Sequence, residues 1–200
     1  DDKHFDERRT GAGMTLSRTT KDIFSFGYGV SYEKIGTINL RNTNSDDFIQ
    51  QDGDLLSFSF SGVRDRRDVP LAPSEGDYLR VSVEPAMANI TKIGGSVGSY
   101  QYLLGRNNFL RMGLEYKAFF SKRPKNPEDL LKPRKVLAVR ARYGNILGSP
   151  PFFEQFFLGG SDSLRGYPDQ RFWGKQSALM SIEYRVPVQK TFSIIGFTDY

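Results

Sequence analysis

Residues 22–33 read Asp-Ile-Phe-Ser-Phe-Gly-Tyr-Gly-Val-Ser-Tyr-Glu, and their alternation sets the fold class. A strand points successive side chains to opposite faces. Phe24, Phe26, Tyr28, Val30 and Tyr32 then share one face, and Ser25, Gly27, Gly29, Ser31 and Glu33 share the other. The same period returns along the chain. In 54–63, Leu56, Phe58 and Phe60 oppose Ser57, Ser59 and Ser61, and in 77–86, Leu79, Val81 and Val83 oppose Arg80, Ser82 and Glu84. In 108–119, Leu110, Met112, Leu114 and Tyr116 oppose Arg111, Gly113, Glu115 and Lys117. In 135–145, Leu137, Val139, Ala141 and Tyr143 oppose Arg140 and Arg142. In 176–188, Ala178, Met180, Ile182, Tyr184 and Val186 oppose Ser177, Ser181, Glu183 and Arg185. A weaker alternation covers 10–19, and 190–200 places Phe197 and Asp199 on one face.

These are eight strands of roughly 10 to 13 residues. Membrane-spanning strands run to about 9–11 residues, whereas soluble strands are nearer 5–6. The polar faces hold Arg, Lys and Glu, which do not fill a dry core but suit a hydrated lumen. The expected fold is therefore all-β, an antiparallel transmembrane β-barrel. A soluble two-sheet sandwich is disfavoured by strand length and by the 14% aromatic content. The mean hydropathy of -0.48 does not oppose a barrel, because only alternate residues meet lipid. Connections alternate in length. Thr20–Asp22, 64–76 and Pro187–Lys190 are short or medium turns, and 120–134 is a longer one on the same side. Segments 35–53, 87–105 and 146–174 are long loops, which outer-membrane barrels place outside the cell, and the Gly-rich 87–105 segment has room for extra strand.

The 200 residues include 28 Lys and Arg against 23 Asp and Glu, and the positive charge is dispersed. The densest group, Arg64, Arg66 and Arg67, is broken by Asp65, which argues against a nucleic-acid face. Cysteine is absent, so no disulfide or thiolate metal site forms. His4 is the only histidine and lies in a polar segment, so no histidine triad is available. Gly159-Gly160-Ser161-Asp162-Ser163 lacks the strand-turn-helix setting of a nucleophile elbow. The Asp46-Asp47 and Asp52–Asp54 acids lack calcium-ligand spacing. The sequence therefore points to no catalytic residue, no cofactor and no metal.

The most distinctive stretch is Leu158-Gly159-Gly160-Ser161-Asp162-Ser163-Leu164-Arg165-Gly166-Tyr167, inside the 146–174 loop. Arginine carries a planar fork that binds two carboxylates and stays charged. Glu183 and Asp199 fall on neighbouring strands, where both can reach one guanidinium. Gly166 either lets backbone approach the wall or supplies a positive φ, and Tyr167 offers a ring and a hydroxyl. The expectation is a latch: Arg165 holds the loop in the lumen through Asp199, with Glu183 nearby. A loop that merely plugs or stiffens the barrel fits the same residues.

The run Pro151-Phe152-Phe153-Glu154-Gln155-Phe156-Phe157 leading into Leu158–Tyr167 resembles the sixth-loop signature of the BamA-like outer-membrane protein assembly and translocation barrel superfamily. Leu164 stands where Val is commoner. Glu183, the Phe197-Thr198-Asp199-Tyr200 stretch and the 65–76 turn match further features of that family in the same order. The resemblance implies a barrel of sixteen strands preceded by periplasmic POTRA domains. Residues 1–200 would be strands six to thirteen, with the closing strands and the POTRA domains outside this chain. It also implies insertion of β-barrel proteins into the outer membrane of a diderm bacterium, or an organelle outer membrane. Unfolded outer-membrane clients, periplasmic chaperones, accessory lipoproteins and lipid would be the partners, and nucleic acid would not. A polypeptide secretion pore of the same superfamily is the alternative, and a passive porin leaves the Arg165 loop unexplained.

Overall fold

The structure, a computed structural model, describes residues 6–20, 23–38, 49–95, 101–122, 134–189 and 192–200. Eight long strands form one antiparallel sheet. They are β1 (Asp6–Thr20), β2 (Phe24–Ile38), β3 (Ile49–Asp65), β4 (Gly76–Gly95), β5 (Gly105–Ser121), β6 (Val136–Gly148), β9 (Gln176–Gln189) and β10 (Phe192–Asp199). Each pairs with its neighbour in the order β1-β2-β3-β4-β5-β6-β9-β10, so β1 and β10 are the two edges of an open barrel wall. Two short strands, β7 (Phe156–Leu158) and β8 (Phe172–Gly174), form a separate ribbon within the β6–β9 connection.

The alternating faces sort as lipid and lumen require. Phe26, Tyr28, Tyr32, Phe60, Met180 and Tyr184 are exposed on the outer face. Tyr28 and Phe60 are direct cross-strand partners and pack edge to face at 6.1 Å.

Most strands run longer than their alternation indicates. β4 has 20 residues, so the expected 87–105 loop begins only after Gly95. Likewise β2 reaches Ile38 and β3 starts at Ile49, which shortens the expected 35–53 loop from both sides. β6 runs to Gly148 and trims the 146–174 loop. The reason is a reversal of polarity toward the long-loop end. There the inward positions become apolar: Ile35, Leu55, Ala86, Ala88, Ile90, Phe109 and Ile146 are buried and form one core with Phe153 of the β6–β9 connection. Outward positions such as Asn89 turn polar and exposed. An alternation count that equates apolar with lipid stops where the pattern inverts, while the backbone ladder continues. His4, Asn42, Asn44, Asp46, Asp47 and most of the 120–134 turn lie outside the described residues.

The turn between β3 and β4 is organised by Asp68. One carboxylate oxygen accepts the backbone N–H groups of Val69 (2.9 Å), Ser74 (2.9 Å) and Glu75 (3.2 Å). Arg134 reaches across to Glu75 at 2.9 Å and to Asp68 at 3.7 Å. Burial opposes ionisation of Asp68, but the Ser74, Glu75 and Val69 donors prevail and lower its carboxyl to about 2, below the usual 3.8. A depressed folded value stabilises the turn fully above pH 3.8, and this is lost as pH falls to about 2. Amide exchange at Ser74 and Glu75, corrected for intrinsic rates, should therefore accelerate across that window. Asp68→Asn should give fast exchange throughout. Flat protection in the wild type across the window would remove Asp68 from this role.

Candidate functional site

The β6–β9 connection lies against the concave face of the wall and is fastened at two points. Its stem is the β7–β8 ribbon, with Phe156 opposite Gly174 and Leu158 opposite Phe172. Phe152 packs edge-on against Phe157 (5.4 Å) and Trp173 (5.7 Å), and Tyr167 packs against Phe172 (5.2 Å). The tip is shaped by glycines at positive φ: Gly159 at 123° and Gly160 and Gly166 at 91°. A Cβ at Gly159 would meet the Pro168 carbonyl at 2.1 Å, so that position needs both the conformation and the space. Gly166 has no atom within 4 Å of such a Cβ, so its role is conformational alone. Ser163 closes the tip through its hydroxyl, which accepts from Gly159 N–H and donates to Gly159 C=O, both at 2.8 Å. The Leu164 carbonyl accepts from Tyr167 N–H at 3.4 Å.

This conformation aims Arg165 at the last two strands. Its Nε and Nη2 donate to the two oxygens of Asp199, each at 2.7 Å, and its backbone N–H donates to the same carboxylate at 3.1 Å. Nη1 donates to Glu183 at 2.8 Å. The guanidinium carbon lies 3.6 Å from the centre of the Phe197 ring, a close stacking contact. Asp199 is only 3% exposed and Arg165 22%. Arg185 takes the other oxygen of Glu183 at 2.8 Å. Hydrogen bonding to Asp199, and then to Glu183, pushes the Arg165 guanidinium further above its ordinary range. Arg165, Glu183, Phe197 and Asp199 thus converge in space. Leu164, Gly166, Tyr167, Gly159 and Gly160 shape the loop that delivers the arginine.

The second fastening was not assigned from sequence. Glu154, on a single 3-10 turn (Phe152–Glu154), is buried with 5% of its side chain exposed. Its two oxygens meet Arg9 of β1 at 3.1 Å and Arg111 of β5 at 3.2 Å. Arg9 also donates to the Phe153 carbonyl at 3.0 Å, and Gln51 of β3 accepts the Phe152 N–H at 2.6 Å. Beside this node the Phe156 ring occupies the face of Gly144: a Cβ there would lie 2.4 Å from the ring. Arg111 covers Phe156 at 4.9 Å. The available signal was a lone carboxylate inside an aromatic run, facing a wall rich in inward arginines.

Burial raises the Glu154 carboxyl above its usual 4.5, with Arg9 and Arg111 opposing. The docked state therefore binds this proton more tightly than the free loop, and docking strengthens as pH falls through the raised value. Amide exchange over residues 152–158 should be slower just above pH 4.5 than at neutral pH once corrected for intrinsic rates. Glu154→Gln should flatten that difference, and an equal slope in the variant would refute the assignment.

Among the described residues no cluster of three acidic or histidine side chains is arranged to hold a metal ion. Asp52 instead accepts from the backbone N–H (2.8 Å) and hydroxyl (2.7 Å) of Thr37, and Asp54 accepts from the Tyr32 hydroxyl at 2.9 Å.

The arrangement has relatives. An outer membrane protein assembly factor BamA of Nitratidesulfovibrio vulgaris is 23% identical over 198 residues, which is 90% of this chain and 22% of that protein. A SAM50-like protein of Schizosaccharomyces pombe is 28% identical over 174 residues, 82% of this chain and 32% of that protein. The crystal structure of BamA from Haemophilus ducreyi lacking POTRA domains 1-3 superimposes with a TM-score of 0.69 at 15% identity, over 98% of this chain and 41% of that one. The chain thus spans less than half of each of these proteins. Its full length, residues 1–200, matches the Omp85 superfamily domain, and with an antiparallel barrel wall closed over an inward-docked loop the chain belongs to that superfamily.

Proposed function

We propose that this chain is part of an outer-membrane β-barrel that assembles and inserts other β-barrel proteins into the outer membrane of a diderm bacterium. The observation that favours this reading is the β6–β9 connection fastened inside the wall by Arg165 between Asp199 and Glu183. A passive diffusion pore leaves the Arg165 loop signature unexplained. Relatives named as an outer membrane assembly factor and a SAM50-like protein point the same way.

In this reading residues 1–200 are one portion of the barrel domain, and the 146–174 connection is an extracellular loop folded into the lumen. Arg165 is its latch, and Leu164, Gly166 and Tyr167 set the latch geometry. POTRA domains and closing strands belong to the rest of the protein. The partners are unfolded outer-membrane clients, periplasmic chaperones and accessory lipoproteins, with lipid on the outward aromatic face. The chain supplies binding and shape rather than bond-making chemistry.

Depletion of the protein in its host, followed by quantification of the outer-membrane proteome, tests this. A broad fall across many barrel proteins is expected. Level barrels with loss of a single exported protein would instead mark a dedicated secretion pore.

A further inference from the structure

The wall beneath the loop tip gathers basic side chains around Glu115, while Glu84, Glu33 and Glu154 line the same cavity farther along the strands. Glu115 on β5 lies in register between Arg80 on β4 and Arg142 on β6. Its carboxylate is already engaged elsewhere: Arg140 binds Oε1 at 2.7 and 2.8 Å, and Lys117 approaches the same oxygen at 3.3 Å. Among the described residues Arg80 has no ion-pair partner. Arg142 makes one polar contact, donating from Nη2 to the Asp162 carbonyl at 3.4 Å. The Asp162 carboxylate acts on it only through space.

Both arginines, neither of them bound to a carboxylate, line one cavity of about 740 Å³ between wall and loop. The adjacent row across the same three strands is Ser82, Gly113 and Gly144. A Cβ at Gly113 would come within 2.7 Å of the Ser82 hydroxyl, so glycine there keeps that hydroxyl open to the cavity. Two strand spacings separate the Arg80 and Arg142 backbones, roughly 10 Å. Two long side chains that lean toward each other across that gap leave room for one small anion between them. Guanidinium forks match the oxygens of phosphate and carboxylate groups.

We propose that Arg80 and Arg142, with the Ser82 hydroxyl, form a luminal binding site for a small oxyanion of the phosphate or carboxylate class. The proposal rests on the wall and its loop, and holds whichever polypeptide the barrel handles. An anion held there relieves repulsion between Arg142 and its neighbour Arg140. Both donate to the Asp162 carbonyl at the loop tip, so occupancy firms the docked loop.

The test is thermal unfolding of the complete protein in detergent, with sodium phosphate titrated against sodium chloride at matched ionic strength. A saturable rise in Tm with phosphate, and slower amide exchange over residues 159–167, is the expected result. Arg80→Gln combined with Arg142→Gln should abolish both. Phosphate indistinguishable from chloride in the wild type, or a shift that persists in the double variant, would overturn the proposal. Should the double variant not fold, Arg80→Lys keeps the charge and loses the fork. It should weaken the saturable response severalfold, and an unchanged response counts against the site. A parallel titration with sodium acetate separates the sources. Response to both anions indicates carboxylates, such as those of a passing polypeptide, while response to phosphate alone indicates a phosphate ligand.

Discussion

Arg165→Asp should release the loop tip from the wall. The substitution removes the fork from Asp199, which is 3% exposed, and from Glu183, and adds a third carboxylate beside them. Breaking a buried ion pair on one side costs about 3–5 kcal/mol, because the remaining charge loses its partner without regaining water. That corresponds to an acceleration of amide exchange over residues 159–167 by about two to four orders of magnitude. The charge-swapped pair, Arg165→Asp with Asp199→Arg, should recover a measurable part of the loss. A guanidinium placed on β10 can meet both Glu183 and the carboxylate introduced on the loop. A swap that recovers nothing would sink the pairing as the source of the loop's position. Full recovery is not expected. The Phe197 ring stacks on a guanidinium that arrives from the loop, and the backbone N–H of residue 165 contributes its own bond to Asp199.

Gly144→Val should displace the opposite side of the connection. Valine suits a strand, so the ladder between β6 and its neighbours gains rather than loses by the change. The cost falls first on the Phe156 ring, whose nearest atom would sit 2.4 Å from the new Cβ. Forcing bulk into a packed contact typically costs about 1–3 kcal/mol. The ring also lies under Arg111, so moving it disturbs the Glu154 node. Exchange over residues 152–158 should rise about tenfold or more, with the long strands unchanged. Combining the substitution with Phe156→Ala should relieve the overlap and restore slow exchange. If the double variant exchanges as fast as Gly144→Val alone, the ring contact is not what the glycine protects.

Most of the wall could be read from residue order alone. Alternating aromatic and small polar residues, as in Phe24–Glu33, define strand faces directly, and short turns force neighbours to pair. Glu183 and Asp199 fell on adjacent strands by the same logic, and the structure sets the Arg165 guanidinium between them. What that contact does for the loop is the question the reversal addresses. Two features escaped. Ala86, Ala88 and Ile90 face inward beneath Phe153, because alternation shows that two faces differ without showing which one meets water. Glu154 found Arg9 at a separation of 145 residues, and no local spacing encodes such a meeting. Arg9 lies at the start of β1, ahead of the weak alternation read over 10–19.

That separation bears on the order in which the fold is made. The Arg165 contacts join residues 18 and 34 apart, so they can form once the last two strands are in register. Glu154 must wait for β1 and β5 to be held at a fixed curvature, because one small carboxylate bridges both. Long-range closure is the slow part of β-sheet folding. The two fastenings therefore ripen at different times: the tip can dock early, while the base settles only on a wall already bent to shape. A chain stalled with a flat or mispaired sheet would keep Glu154 unseated and its aromatic neighbours bare. By sequence separation alone, the base of the β6–β9 connection is the contact that demands the most finished wall.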